Sequence, residues 1–504
     1  MTQACVIGAG IGGLALAIRL QAGGVATTLL DAHATPGGGS SAIARDGFTF
    51  DADPGAINDA DGLRALWALS GRSLDNDLEL LPIEPFTRFA WPDGTVFDAS
   101  ADQAAVHAAI ARINPADVAG YEEFACTVAA IRADGQVRPG SAALLGSAAR
   151  LGSAARLGWR GMARSVPALM RYQAWRALDA MLDRHVASDK LRQALGYPVL
   201  RIGGNPLTIP TLLALRLARD PFARVFWPKG GSGALAAVLL REFARLGGAV
   251  RLGQAVTRVT TLGTRVTGVE TASAGPMHFD AVCSAIDAMH LYRDLLAPNP
   301  RGATMAKWLG RRHYTPSQFV VHFGLAGAWP GIAHRTVLFG PRHDGWLTDL
   351  FAHGVLPQDL CIELHHPTVT DASVAPPGMS AFSAVVPVPN LGRLPVDWAR
   401  IGPMLEARVI AEIGRRLIPD LEARIVTRFH RTPADIAHDG HAWLGSANGL
   451  APTLMQSGAL RPHNRDAVIE NLYLVGADTH PGAGIPGVLA GAQITAGLMV
   501  DDLK

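Results

Sequence analysis

A run of glycines close to the amino terminus has the spacing of a phosphate-binding turn. Gly8, Gly10 and Gly13 form a G-x-G-x-x-G pattern between a predicted buried strand and a predicted helix. The first glycine allows a tight turn, the second lets the backbone approach a pyrophosphate, and the third lets the helix pack on the strand. Asp31 ends the next predicted strand and could accept hydrogen bonds from a ribose. The pattern therefore predicts a site for the ADP half of NAD or FAD.

A second glycine-rich loop favours FAD as the dinucleotide. Residues 36–39 (Pro-Gly-Gly-Gly) directly follow the second predicted strand, which places Gly37 and Gly38 close to the same pyrophosphate. A simple NAD dehydrogenase has no need of such a loop.

Near the carboxyl terminus another glycine turn leads into a helix. A strand predicted over residues 471–475 is followed by a glycine-rich turn over 476–487 and an apolar helix from Val488 to Leu498. The start of such a helix could hold the oxygens of a flavin. A site built from both ends of the chain implies a discontinuous domain.

The sequence leaves the catalytic group unassigned. His480, inside the carboxyl-terminal turn, could assist proton movement or have a structural role. Arg201 lies in an otherwise apolar run; a buried arginine is costly unless paired, so it could face a polar substrate end or solvent. The histidines at 365–366 and 438–441 have no third ligand at a suitable spacing, so no metal site is predicted.

The composition indicates a folded protein whose cysteines are reduced thiols. The chain has 504 residues, of which 49% are hydrophobic and 17% are charged, enough for two or three domains. The net charge of +2 gives no sign of nucleic-acid binding. We see neither a signal peptide nor a run of about 20 apolar residues. The expected location is cytoplasmic, at the inner face of the cell membrane, with only peripheral membrane contact. The cysteines have no metal or disulfide spacing: Cys5, Cys126, Cys283 and Cys361.

A basic segment between Gly135 and Leu178 contains no acidic residue. It predicts an amphipathic helix that could lie on an anionic bilayer, or a solvated helix with arginines on its outer face. A unit of sequence Leu-Gly-Ser-Ala-Ala-Arg occurs twice within it, from Leu145 and from Leu151. Its basic residues are Arg138, Arg150, Arg156, Arg160, Arg164, Arg171 and Arg176.

The remaining apolar patterns predict two sheets. A hairpin is expected over 85–97, and a helix over about 232–246. Strands over 249–252, 256–259, 265–269 and 279–284 predict a three-stranded insertion between the strands of the nucleotide-binding sheet. Runs at 320–323, 361–364 and 384–386 predict a second sheet, closed by a helix over about 404–417.

Several separated motifs resemble those of the bacterial-type phytoene desaturases, FAD-dependent carotene desaturases of the amine-oxidase-like flavoprotein superfamily. The resemblance extends over nearly the whole chain. It is carried by Leu-Arg-Pro-His-Asn-Arg-Asp at 460–466, Asn-Leu-Tyr-Leu-Val-Gly at 471–476 and Thr-His-Pro-Gly-Ala-Gly-Ile-Pro-Gly-Val at 479–488, with further matches at 203–206, 227–231, 292–296 and 369–371.

The resemblance implies that a long polyisoprenoid, phytoene or a related carotenoid, loses hydrogen to FAD. Hydride would pass to the flavin, which a quinone or oxygen would reoxidise. It also implies that Val256 lies by the adenine and that the turn from Asp478 to Val488 lines the flavin. The implied coenzyme contacts are Gly8, Ala9, Gly10, Gly12, Gly13, Asp31, Gly37, Gly38, Val256, Asp478, Ile485, Pro486, Gly487 and Val488.

The expected fold class is α/β, with a discontinuous Rossmann-like FAD-binding domain, a mixed-sheet substrate domain and a helical subdomain that could contact a membrane. The corresponding boundaries are 1–84, 222–295 and 460–504; 85–130 and 296–459; and 131–221.

Some positions depart from the family pattern. Gly39 stands where the family usually has arginine, Asp53 and Gly55 where it has glycine and threonine, and Asp478 where it has glycine. The family also has glutamate more often than aspartate at the position of Asp31. Two alternatives therefore stay open: a flavoenzyme that desaturates or isomerises a later or oxygenated carotenoid, and a non-catalytic flavin-binding paralogue.

Overall fold

The computed structural model describes residues 2–136, 173, 175–217 and 224–504. Most of the predicted basic segment, including Arg138, Arg150, Arg156, Arg160, Arg164 and Arg171, lies outside the described residues. The strands are β1 (Gln3–Ile7), β2 (Ala26–Leu30), β3 (Ala42–Arg45), β4 (Phe48–Asp51), β5 (Leu80–Pro82), β6 (Thr87–Ala90), β7 (Val96–Ala99), β8 (Phe226–Pro228), β9 (Ala249–Arg251), β10 (Val256–Leu262), β11 (Arg265–Thr271), β12 (Gly275–His278), β13 (Ala281–Ser284), β14 (Ser317–Ala326), β15 (Arg335–Leu338), β16 (Ile362–His365), β17 (Met379–Val388), β18 (Ile425–Arg431) and β19 (Leu472–Leu474).

The longer helices in the described part of the chain lie on and between these sheets. They are α1 (Ile11–Ala22), α2 (Ala60–Ala68), α3 (Gln103–Ile113), α4 (Asp117–Gln136), α5 (Leu178–His185), α6 (Asp189–Gly196), α7 (Thr211–Leu217), α8 (Ser232–Arg245), α9 (Pro300–Leu309), α10 (His343–Thr348), α11 (Trp398–Arg416), α12 (Pro433–Asp439) and α13 (Ile485–Asp502). None of the helices within the described ranges has the length and apolar content needed to cross a bilayer.

The first sheet joins distant parts of the chain. Its five strands run in the order β19-β13-β1-β2-β9, and all the neighbouring pairs are parallel. The strands are apolar because helices cover the sheet, as parallel sheets require. Helix α1, next to the first strand, and helix α13, at the end of the chain, share one hydrophobic core there. The predicted meeting of the two chain ends is confirmed.

A three-stranded antiparallel meander projects from this sheet. Its strands are β10, β11 and β12, and it lies between β9 and β13 in the chain, as predicted. Its membership differs from the prediction, because the run at 249–252 belongs to the parallel sheet and the third strand of the meander is Gly275–His278. Gly275 and Pro276 weaken the strand pattern there, which hid this strand in the sequence.

The second sheet has seven strands in the order β18-β14-β17-β16-β15-β6-β7. It contains all three apolar runs predicted for it, and the predicted hairpin over 85–97 forms its edge as β6 and β7. All its neighbouring strands are antiparallel except β6 and β15, so the sheet is mixed. Helix α11 begins at Trp398, earlier than predicted, because the side chain of Asp397 caps it ahead of Pro403.

Candidate coenzyme and substrate site

The amino-terminal glycine turn is tightly closed on one side and open on the other. The Gly8 amide donates to the Leu30 carbonyl at 2.7 Å, and Gly8 has a φ of +105°. A Cβ at Gly13 would lie 2.0 Å from the Gly8 carbonyl oxygen, so helix α1 can approach the strand only with glycine there. At Gly10 the nearest atom to such a Cβ would be 3.9 Å away. The start of α1 therefore faces open space, as an anion site requires.

Asp31 is fixed at the end of β2 by backbone donors. Its carboxylate accepts hydrogen bonds from the Ala9 amide at 2.6 Å and the His33 amide at 2.7 Å, and it lies 3.2 Å from the Nδ1 atom of the His33 ring. A carboxylate has about four acceptor positions, so these three contacts leave capacity for one ribose hydroxyl. Val256 packs against the same hydrophobic cluster as Leu30, the residue before Asp31. The structure thus brings the two predicted adenosine contacts to the same end of the sheet.

The second glycine loop joins the first. The Gly37 amide donates to the Ala9 carbonyl at 2.9 Å, and Gly10 and Gly37 pair as an isolated β-bridge. A Cβ at Gly38 would lie 3.6 Å from the Gly10 Cα. The two glycine loops therefore lie side by side and form one cradle.

The carboxyl-terminal turn reaches the same cradle. A Cβ at Gly12 in α1 would lie 3.2 Å from the Cβ of Val488 in α13. Gly487 is held against the turn, since a Cβ there would lie 2.4 Å from the Gly482 carbonyl oxygen. Helix α13 follows Gly484, which has a φ of +84°. The predicted contacts from Ile485 to Val488 therefore start a helix directly beside α1.

Two polar residues of this turn, Asp478 and His480, have surroundings set by the protein itself. The Asp478 carboxylate accepts from the Leu450 amide at 2.8 Å and the Ala288 amide at 3.2 Å, so it ties three loops together. The ring of His480 is largely buried, and burial lowers its pKa to about 4. A neutral ring with this pKa is a weak proton acceptor, and His480 does not line the cavity described next. The proposed proton-transfer role of His480 gains no support from its position.

A cavity opens beside the carboxyl-terminal turn. Its empty volume, including the open mouth, is about 1400 Å³. Gly484, Ile485 and Pro486 line one part, and Ser40 and Ser232 lie beside them. The apolar part of the lining consists of Phe89, Phe97, Ala99, Val106, Tyr121, Ala194 and Leu195. This part of the lining suits an apolar molecule.

A buried charged cluster forms one wall of this cavity. Glu363 accepts from Tyr197 at 2.5 Å, from Arg335 at 2.7 Å and from His365 at 2.7 Å, and Arg201 lies 3.4 Å away. Burial alone would raise the pKa of Glu363, but the charges of Arg201 and Arg335 hold it well below its usual value. Arg201 lines the cavity and is 27% exposed. The two surroundings expected for it, a polar substrate end or solvent, therefore both stay predictions.

The loop after β4 supplies two further carboxylates. Asp51 accepts from the amide and the hydroxyl of Ser232 at 2.9 and 2.8 Å, yet burial raises its pKa to about 7. Asp53 lines the cavity and accepts from Gln318 at 3.0 Å. Arg201 donates to the Pro54 carbonyl at 2.9 Å, so this loop and the charged cluster meet.

Sequence reasoning missed Tyr197 and Arg335 as cavity residues and Glu363 as their buried partner. Glu363 lies in the apolar run predicted as a strand of the second sheet, and its partners are up to 166 residues away. A lone acid in a run destined for a buried strand was the only signal available, because an unpaired charge is not tolerated there.

Comparison with known proteins identifies the family. The profile of the flavin containing amine oxidoreductases matches residues 11–378. A lycopene-forming phytoene desaturase of a Paracoccus species is 43% identical over 99% of this chain and 97% of its own length. The corresponding protein of Pseudescherichia vulneris is 41% identical over the full length of both. The chain belongs to the phytoene desaturase family. It is accordingly an FAD-dependent oxidoreductase acting on CH–CH groups.

Solved structures support the fold of this desaturase. An oxidoreductase of Methanosarcina mazei aligns with a TM-score of 0.65 at 14% identity, covering 98% of this chain and 99% of the other. At this identity the likeness establishes the fold alone. The expected α/β flavoprotein architecture with a mixed second sheet is confirmed.

Proposed function

We propose that this desaturase converts phytoene to lycopene with FAD as hydride acceptor. The observation that carries the proposal is a cavity lined both by the carboxyl-terminal turn, at the coenzyme cradle, and by aromatic and aliphatic side chains. Relatives named as lycopene-forming phytoene desaturases share 40–43% identity over nearly the whole chain.

The residues around the cradle fit FAD. Gly10 and Gly37–Gly38 leave room for a pyrophosphate at the start of α1, and Asp31 has acceptor capacity for a ribose. The residues Ile485 to Val488 would hold the flavin end. When bound, FAD supplies the oxidant that removes hydride from the substrate.

The chain's own contribution is positioning in a dry cavity. A hydrocarbon has no electronegative atom on which a catalytic triad or a metal could act. Holding its reacting carbons in place is therefore what accelerates the reaction. The apolar side chains that line the cavity, among them Phe89 and Tyr121, exclude water from the hydrocarbon chain of the substrate. Each CH₂ removed from water contributes about 0.8 kcal/mol, so a carotene of about forty carbons gains substantially from this lining.

The same hydrophobicity argues for peripheral membrane association at the inner face of the cell membrane, from which the substrate would come.

We propose a quinone or oxygen as the electron acceptor. We also propose the three-part division given above: 1–84, 222–295 and 460–504 for the coenzyme; 85–130 and 296–459 for the substrate; and 131–221 as a helical part.

Expression of this protein in host cells that accumulate phytoene tests the main proposal. We expect lycopene, identified by its absorption spectrum and mass, and a purified yellow protein with a flavin spectrum. A Gly10→Ala variant serves as the matched control, because it should leave phytoene unconverted. A colourless wild-type protein that takes up no FAD would instead support the non-catalytic alternative.

One observation favours a second candidate, a desaturase of oxygenated carotenoids. Arg201 and Arg335 face the cavity, and their guanidinium groups could donate to a hydroxyl or keto oxygen. Supplying the enzyme with phytoene and, separately, with a hydroxylated acyclic carotenoid distinguishes the two. Conversion of the oxygenated substrate alone would replace the phytoene assignment.

A further inference from the structure

A short loop at residues 453–460 exposes large apolar side chains. Leu454 is 54% exposed, Met455 is 69% exposed and Leu460 is 49% exposed. They lie on two consecutive 3-10 turns, Leu454–Gln456 and Gly458–Leu460. Scattered exposed apolar residues are normal, but a concentration within seven residues marks an interaction site.

The loop is held firmly to the body of the protein. The buried side chain of Gln456 accepts from the His313 amide at 2.8 Å and donates to the His313 carbonyl at 2.8 Å. The buried Arg461 donates to the Gln456 carbonyl at 3.3 Å. The polar residues of the loop therefore point inward and fix it, while the apolar ones stay outside.

Basic residues lie on the segment to which this loop is bonded. The segment to which Gln456 binds contains Lys307, Arg311 and Arg312, of which Lys307 and Arg311 are exposed. Neither residues 295–343 nor residues 440–465 contain an aspartate or glutamate. Exposed apolar side chains next to basic residues are typical of a protein surface that contacts an anionic bilayer.

The loop also lies close to the substrate cavity. Asn448, which lines the cavity, precedes Leu454 by six residues, so their Cα atoms are at most about 22 Å apart. A Cβ at Gly204, two residues after the cavity residue Ile202, would lie 3.5 Å from Pro452. A molecule leaving the lipid at this loop would thus have a short path to the cavity.

We propose that Leu454, Met455 and Leu460 insert into the interface of an anionic bilayer while Lys307 and Arg311 bind its headgroups. The inference rests on the proposed function, because a long hydrocarbon substrate has to reach the cavity from lipid. It places a membrane contact outside the basic segment 135–178 in which the sequence predicted one.

Sedimentation of the purified full-length protein with vesicles tests the proposal. The vesicles are phosphatidylglycerol–phosphatidylcholine mixtures and phosphatidylcholine alone. We expect the triple variant Leu454→Ser, Met455→Ser, Leu460→Ser to lose most of its binding to the anionic vesicles. Val426→Ser is the matched control, because Val426 is 50% exposed on β18 of the second sheet and its loss should change nothing.

A second pair of variants measures the charge contribution. Each of Lys307→Gln and Arg311→Gln should weaken binding to anionic vesicles about fivefold, since each basic residue near such a surface contributes about 1 kcal/mol. Arg265→Gln, 63% exposed on the meander, should have no effect. Arg312 is left unchanged because its guanidinium lies over the Trp308 ring at 3.9 Å.

Two readouts separate this proposal from the proposed function. With phytoene in detergent micelles, the triple variant should be as active as the wild type, and its flavin spectrum should be unaltered. Vesicle binding equal to the wild type would overturn the proposal while leaving the function intact. So would a wild-type dimer that the triple variant turns into a monomer, because the loop would then bind a second copy of the chain.

Discussion

Gly10 and Gly13 lie in the same turn, yet a methyl group would meet different surroundings at each. At Gly13 it would lie 2.0 Å from a carbonyl oxygen, whereas at Gly10 the nearest atom is 3.9 Å away and φ is −68°. We therefore expect Gly13→Ala to prevent correct folding. Gly10→Ala should fold normally but lose FAD, because its methyl group occupies the space of the pyrophosphate.

Thermal unfolding of the apoproteins and titration with FAD check this difference. The expected result is an unchanged Tm for apo Gly10→Ala together with an FAD affinity at least tenfold weaker, or about 1.4 kcal/mol. Wild-type affinity in Gly10→Ala would mean that the coenzyme lies elsewhere.

Asp51 makes the stability of the folded protein depend on pH. Burial raises its pKa from 3.8 to about 7, so the folded state favours the protonated form more than the unfolded state does. The stabilisation is complete below pH 3.8 and is lost as the pH rises through about 7. Its full size is on the order of 4 kcal/mol. The Asp51→Asn variant has no such ionisation, so its stability relative to the wild type should increase with pH.

Unfolding of both proteins at pH 5 and pH 8 measures this effect. Other titrating groups are common to both proteins and cancel in the difference. A difference in unfolding free energy that is the same at both pH values would show that Asp51 is ionised throughout.

At the scale of elements, the side chains of strand β7 alternate between the cavity and the opposite face of the strand. Phe97 and Ala99 line the cavity, while Val96 is exposed and Asp98 pairs with Arg88 on the other side. Ala99→Phe should therefore fill space at the apolar part of the cavity lining and shift the products towards carotenoids with fewer new double bonds. Val96→Phe, on the opposite face of the same strand, should leave the products unchanged.

Chromatography of the pigments from co-expressing cells gives the product pattern. An unchanged pattern in Ala99→Phe, with the protein folded and yellow, would place the substrate outside this part of the cavity.

Elements with strong local signals were predictable from sequence, and those decided by distant partners were not. Helix α8 was predicted almost to the residue, because glycines bound it at both ends. Strand β12 was missed, because Gly275 and Pro276 resemble a turn and only pairing with β11 makes them a strand. The cluster around Glu363 was also missed, because residues from three separate segments complete it.

For the whole molecule, the sequence indicated that the two ends of the chain share one sheet. Glycine turns before helices appear at both ends, and a dinucleotide needs both of its halves bound. The sequence did not indicate that the Asp478 carboxylate holds three loops together. Hydrogen bonds to backbone amides of distant loops leave no trace in a single sequence.

The proximity of the termini leads to a prediction about connectivity. The Thr2 hydroxyl lies 3.5 Å from the Leu503 carbonyl oxygen, so a linker of a few glycines can join the two ends. A circular permutant opened between Ser273 and Ala274, in the exposed turn between β11 and β12, keeps every strand of the coenzyme-binding sheet intact. We expect it to fold and bind FAD. A permutant opened between Gly10 and Ile11 should bind none, because the phosphate turn is cut. Flavin absorption of the two purified proteins compares them, and if the permutant opened between Ser273 and Ala274 folds but binds no FAD, the packing of the two chain ends is not sufficient to form the site.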